Sequence, residues 1–118
     1  MQALQQIGPE ALAQALAAAE ADGAAVPLLL LDVREAWEVA QVSLRGTAAA
    51  WLHIPMGLLQ ARIAELDPAQ TIVCYCHHGM RSLQTVAFLS SQGFDSVYNL
   101  AGGIDAWSLQ VDPSLPRY

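Results

Sequence analysis

Lysine is missing from the 118 residues; the five basic side chains are all arginines, set against eleven acids, for a formal charge of −6. So acidic a chain repels phosphate backbones and anionic lipid, which argues against nucleic acid and membrane surfaces as partners. Charged residues are sparse at 14% while hydrophobic ones reach 54%, which excludes disorder. Long apolar runs are also lacking: the longest aliphatic stretch, 26–31, falls far short of the roughly 20 residues of a spanning helix. The first ten residues hold no basic side chain and no apolar core, so no signal peptide is expected and the default location is the cytoplasm. Cysteine is scarce. Cys74 and Cys76 stand one residue apart, and in a strand their Cα atoms would lie about 6–7 Å apart, the upper limit for a disulfide. Nothing points to an oxidising compartment. The length suits one domain with one core, spanning 1–118.

What is there alternates between helical and strand-like patterns. Gly8-Pro9-Glu10 opens a helix, with Leu12, Ala15, Leu16 and Ala19 on one face and Asp22-Gly23 ending it. The apolar run 26–31 predicts a strand buried on both faces. A short helix is expected over 34–40 and a short strand over 51–54, ended by Pro55. Leu59, Ile63 and Leu66 predict a helix from about Gly57 to Asp67-Pro68. Residues 71–76 form a third strand. A helix over 82–92 would bury Leu83, Val86, Ala87 and Ser90, with Gly93 after it. A strand over 96–100, a helix from Gly102-Gly103 through Trp107 and an irregular tail from Val111 complete the pattern. Repeated strand–helix alternation implies βαβ units: an α/β fold with a parallel sheet covered by helices on both faces.

The informative segment runs from a buried strand into a helix: Cys76-His77-His78-Gly79-Met80-Arg81-Ser82. Ligands of open α/β sheets bind beyond the carboxyl ends of strands, where Cys76 stands. A cysteine there lies among backbone N–H groups at a helix N-terminus, which favours thiolate over thiol. His77, His78 and Arg81 add positive charge or donors, and Gly79 can supply the positive φ of a tight loop. These features predict a nucleophile in an anion-binding cradle, with Cys76 catalytic and residues His77 to Ser82 contacting substrate.

With these residues in view, the chain resembles the single-domain rhodaneses, a sulfurtransferase family. The Cys-x-x-Gly-x-Arg-Ser loop is matched by Cys76, Gly79, Arg81 and Ser82. The likeness continues through Asp32-Val33-Arg34-Glu35 with Trp37-Glu38, His53-Ile54-Pro55, Val97-Tyr98-Asn99-Leu100 and Gly102-Gly103-Ile104-Asp105-Ala106-Trp107. It implies a rhodanese-like fold with a five-stranded, mostly parallel central sheet, a cysteine cycling between thiolate and persulfide, and no metal or organic cofactor. Asp32, Arg34 and Glu35 would support the edge of the site. One stretch departs: 41–51 keeps Arg45-Gly46-Thr47, lacks the family's histidine and is longer than the usual turn.

Blander readings compete residue by residue. Cys74, mid-strand in an apolar run, reads as core filling. Asp32 could be a helix N-cap, paired with a neighbouring cation. Trp37 and Trp107 read as core or rim aromatics, and His77 and His78 as solvent-facing groups. A metal site built on Cys74, Cys76, His77 and His78 lacks a second converging pair, so none is expected. The expected reaction takes sulfur from a small anionic donor, thiosulfate or a persulfide, to a small thiol, cyanide or thioredoxin-like acceptor. One rival is a non-enzymatic or persulfide-carrier module acting with a partner. Another is a phosphatase or arsenate reductase; those loops hold five residues between Cys and Arg, whereas four stand here, which makes a tighter cradle suited to one sulfur atom.

Overall fold

A computed structural model describes residues 4–21, 23 and 28–118. In chain order these form β1 (Gln6–Ile7), α1 (Pro9–Ala21), β2 (Leu28–Asp32), α2 (Ala36–Gln41), β3 (Ala50–His53), α3 (Leu59–Arg62), β4 (Thr71–Tyr75), α4 (Met80–Ser91), β5 (Val97–Leu100) and α5 (Gly103–Gln110). The sheet has five strands in the order β1-β5-β4-β2-β3, and every pairing is parallel. This is the five-stranded α/β architecture that the resemblance implied. Val26, Pro27 and Asp22, which the sequence assigned to a strand and a helix stop, lie outside the described residues.

The period of two in the strands divides the core. Leu29, Leu31, Ile72 and Cys74 face one side, where Leu59, Val86 and Leu89 cover them. Leu28, Leu30, Val73 and Tyr75 face the other, against Leu12, Leu16 and Trp107. Both faces of β2 and β4 are therefore apolar, as continuous aliphatic runs require. Cys74 is one of these core residues; both cysteines are free, and burial pushes the Cys74 thiol up to about 12.

Several local expectations need correction. The helix expected from Gly57 to Asp67 is only four α-helical residues, Leu59–Arg62, between two 3-10 turns, Met56–Leu58 and Ile63–Glu65. Helix α4 begins two residues earlier than expected, and its buried stripe is Ser82, Thr85, Val86 and Leu89, not Leu83, Ala87 and Ser90. The shift of one position follows from Ser82, a polar residue that turns inward toward Cys76. In α1 the exposed Ala15 drops from the expected face. The missing fifth strand is β1, two residues long at the sheet edge and too short to leave a periodic signal. Trp107 is core, whereas Trp37 is a rim residue, 62% exposed.

Candidate active site

Cys76 directly follows β4, and its side chain continues the phase of Ile72 and Cys74 into the apolar side of the sheet. It is only 1% exposed. The chain then turns sharply through Gly79, at φ 103°, into α4. That left-handed conformation brings the Gly79 N–H back onto Cys76 Sγ at 3.1 Å. The Ser82 N–H and hydroxyl lie 3.4 and 3.3 Å from the same sulfur. Sulfur thus sits over the first turn of α4, where helix N–H groups lack intrahelical acceptors and negative charge is favoured.

Helix α5 holds the loop from behind. The Ile104 N–H donates to the Cys76 carbonyl at 2.9 Å and the Asp105 N–H to that of His77 at 3.1 Å. On the other side of the loop the Gly79 and Ser82 N–H groups meet the sulfur. Gly103 makes this contact possible: at φ 66° a Cβ would run into the Cys76 and His77 carbonyl oxygens.

The charged part of the site is a separate, buried chain of contacts. Asp32 takes the Arg34 side chain through both oxygens, at 3.0 and 2.8 Å, and also accepts the Arg34 N–H. Asp32 is therefore not a helix N-cap; that position of α2 belongs to Glu35, whose side chain is exposed and whose N–H donates to Glu38 Oε1 at 3.1 Å. Arg34 donates onward to the Val42 carbonyl at 2.6 Å and to Tyr118 Oη at 3.0 Å. Burial opposes the Arg34 charge, but hydrogen bonds to Asp32 and Tyr118 more than offset it and raise its pKa. The departing 41–51 stretch is anchored here through Val42 and, at Leu44 N–H and Trp51 Nε1, onto the Tyr75 hydroxyl at 3.1 and 2.9 Å.

Arg81 closes this chain from the α4 side. Its two terminal nitrogens donate to Glu38 Oε1 and Oε2 at 2.6 and 2.8 Å, so its fork is engaged by protein and does not stand open for a donor. Glu38, 3% exposed, is the single buried residue of α2. Its bond to Arg81 first, and then that from Tyr118 Oη at 2.6 Å, hold its carboxyl down at about 2 despite burial.

His78 faces solvent as expected, its side chain 62% exposed, whereas His77 is half-buried. His77 is sandwiched between His78 and Tyr118, with ring centroids 3.9 Å away on each side. Burial, then the neighbouring His78, lowers the His77 pKa and disfavours its charged form. Of the expected contact residues, Gly79 and Ser82 meet the sulfur, Arg81 meets Glu38, and Met80 projects outward, 71% exposed. Sequence reasoning missed Glu38, Tyr118 and Asn99 as members of the site. Glu38 carried a signal, an acid four residues after Arg34 in the helix expected over 34–40. So did Asn99, a polar residue in a short apolar strand, whereas Tyr118 in an irregular tail carried none. Among the described residues no group of three His, Cys, Asp or Glu side chains is placed to hold a metal ion, and no helix is long and apolar enough to cross a membrane.

The sequence and the fold have counterparts among known proteins. The family model of the rhodanese-like domain matches residues 9–110. A sulfurtransferase of Allochromatium vinosum is 39% identical over 103 residues, which cover 87% of each chain. A rhodanese-like/PpiC domain-containing chloroplast protein of Arabidopsis thaliana is 44% identical over 90 residues, 75% of this chain but only 30% of that longer protein. The crystal structure of a rhodanese-like domain protein from Staphylococcus aureus superposes with a TM-score of 0.76 over 97% of this chain and 98% of that one, at 24% identity. With a match this long and a strand-end cysteine held as described, the chain belongs to the rhodanese-like domain family.

Proposed function

We propose that the protein is a sulfurtransferase that carries sulfane sulfur as a persulfide on Cys76. The observation that carries this reading is the sulfur's surroundings: three donors, from Gly79 N–H, Ser82 N–H and Ser82 hydroxyl, converge on Cys76 Sγ within a loop of four residues. Such donors stabilise a thiolate without a neighbouring base, and a persulfide transfer consumes a thiolate already formed.

The reaction runs in two displacements. The Cys76 thiolate attacks the outer sulfur of thiosulfate or another small anionic sulfur donor. A new S–S bond forms, the donor's S–S bond breaks, and with thiosulfate the electron pair leaves on sulfite. The charge now rests on the outer sulfur of the persulfide, against the N–H groups of the loop and the first turn of α4. A nucleophilic acceptor, cyanide, a small thiol or a thioredoxin-like thiolate, then attacks that outer sulfur and returns Cys76 to the thiolate. Because Cys76 is almost fully covered, the atom delivered to it must be small. Arg81 contributes through its bond to Glu38, which fixes the start of α4.

Intact mass after incubation with thiosulfate tests the reading. One added sulfur atom, mapped to the Cys76 peptide and removed by cyanide, is expected; no added sulfur, or sulfur on Cys74, overturns it. Sulfur that loads but turns over only in the presence of another protein favours the carrier alternative.

A further inference from the structure

The Ser82 hydroxyl carries one hydrogen and faces two acceptors. Cys76 Sγ lies 3.3 Å from its oxygen, and Asn99 Oδ1 lies 2.5 Å from it. Asn99 is buried, 2% exposed, on β5 beside Cys74, and the orientation of its amide is fixed. Its Nδ2 donates to the Gly79 carbonyl at 3.2 Å and to Gln6 Oε1 at 3.1 Å. A carbonyl cannot donate, so nitrogen must face Gly79 and oxygen must face Ser82. Cys76 and Asn99 therefore compete for the same hydrogen, and both cannot hold it.

Resting on the persulfide reading, we propose that Asn99 is a positioning residue that makes the Ser82 hydroxyl a two-position rotor responding to the sulfur load of Cys76. In the bare thiolate the charge is on Sγ, and the hydroxyl turns to it, because a hydrogen bond to a charged acceptor is the stronger one. This leaves Asn99 Oδ1, a buried acceptor, without a partner. When Cys76 takes the outer sulfur, the charge moves outward by one atom. Sγ becomes a neutral divalent sulfur, a weak acceptor, and the hydroxyl returns to Asn99. No proton enters or leaves; one O–H bond rotates. The unfilled acceptor burdens only the empty enzyme, so Asn99 favours the loaded form. Through Gly79 the same amide also holds the turn that aims the first N–H at the sulfur.

Two measurements on Asn99→Leu, Ser82→Ala and the double variant test this. The first is the pH midpoint for alkylation of Cys76 by iodoacetamide, read by peptide mapping. The second is the equilibrium between thiosulfate plus empty enzyme and sulfite plus persulfide. Asn99→Leu frees the hydroxyl for the thiolate. It is expected to move the alkylation midpoint down by about one pH unit and to weaken loading about tenfold. In the Ser82→Ala background the same substitution keeps only the effect of its lost bond to Gly79, so the difference between the two backgrounds measures the rotor. Ser82→Ala alone, a substitution an α-helix tolerates, removes the thiolate's extra donor and should favour loading severalfold. A midpoint shift of equal size with and without Ser82, a Ser82-dependent part that runs upward, or an unchanged or weaker loading equilibrium in Ser82→Ala overturns the rotor. A parent protein that gains no sulfur overturns the persulfide reading itself, and the alkylation midpoints then decide the Ser82–Asn99 coupling alone.

Discussion

Two segments leave neighbouring strands at the same end of the sheet and solve opposite problems. The one after β4, Cys76 to Ser82, meets its sulfur with uncharged donors: two backbone N–H groups and a hydroxyl. The one after β2, Asp32 to Glu38, is built around buried formal charges, each matched by a partner: Asp32 by Arg34, and Glu38 by Arg81. The first can accept a new negative charge because nothing there already balances one. The second is saturated, and a saturated ion network is rigid framing. The difference teaches that arginines close to a reactive cysteine need not be its anion receptors. In an acidic chain without lysine they can be consumed in holding acids that position the loop.

That contrast can be broken from either side. The largest effect is expected from the dipolar side: Cys76→Ser should reduce thiosulfate:cyanide transfer to background, since a hydroxyl cannot store a persulfide, while Cys74→Ser in folded protein keeps most of it. Rates on the two purified variants decide. Next comes Gly103→Ala, whose Cβ would strike the Cys76 and His77 carbonyls and push the loop off α5. About ten- to a hundredfold lower kcat/KM is expected, with the Cys76 position still chemically present; near-normal rates would show that α5 is not what aims the loop.

On the charged side, Glu38→Gln leaves Arg81 without its carboxylate. A fully buried pair costs about 3–5 kcal/mol to break, but Arg81 is one-third exposed, so roughly 2–3 kcal/mol in urea unfolding is expected. The same pair sets an acid limit. Glu38 falls from its ordinary 4.5 to about 2 on folding, so its contribution is complete above 4.5 and is lost as pH falls from there toward 2. Stability of the parent should therefore drop over that interval, and Glu38→Gln should flatten this part of the profile; equal slopes in the two proteins would remove Glu38 from the acid limit. The smallest effect is reserved for Tyr118→Phe, which keeps the stack on His77 and loses the hydroxyl between Arg34 and Glu38. About 1 kcal/mol of stability and less than a threefold change in kcat/KM are expected from the same assays.

Much of this was legible in the chain because local patterns and tertiary demands agree. Four aliphatic leucines ending in Asp32 can only be a doubly covered strand with a polar tip. The order Cys76, Gly79, Ser82 marks a strand–turn–helix junction by itself. Illegible parts depend on partners far along the chain. Arg81 reads as an open cation until Glu38, on another helix, is folded against it, and His77 reads as a charged loop residue until Tyr118 covers one face. The α4 stripe misled for a related reason: a hydrophobicity pattern starts the buried face at Leu83, yet the sulfur gives the Ser82 hydroxyl a reason to be inside. The broken helix around Leu59–Arg62 shows the ordinary limit of periodicity, which marks apolar spacing but not hydrogen-bond type.

The brevity of β1 reaches further than its place at the sheet edge suggests. Its ladder to β5 rests on Gln5 and Ile7 carbonyls, which accept the Asn99 and Ala101 N–H groups at 2.9 Å, and Gln6 supplies one acceptor for the Asn99 amide. So short an edge element belongs to the part of a fold that opens most readily in native-state fluctuations. Each such opening uncovers Asn99 and Ala101 to solvent deuterium while β4, in the sheet's centre, stays protected. These two amides should therefore exchange well ahead of those of Val73 and Cys74. Peeling of two residues at the rim would thereby make the amide beside Ser82 the first part of the site to sense the solvent.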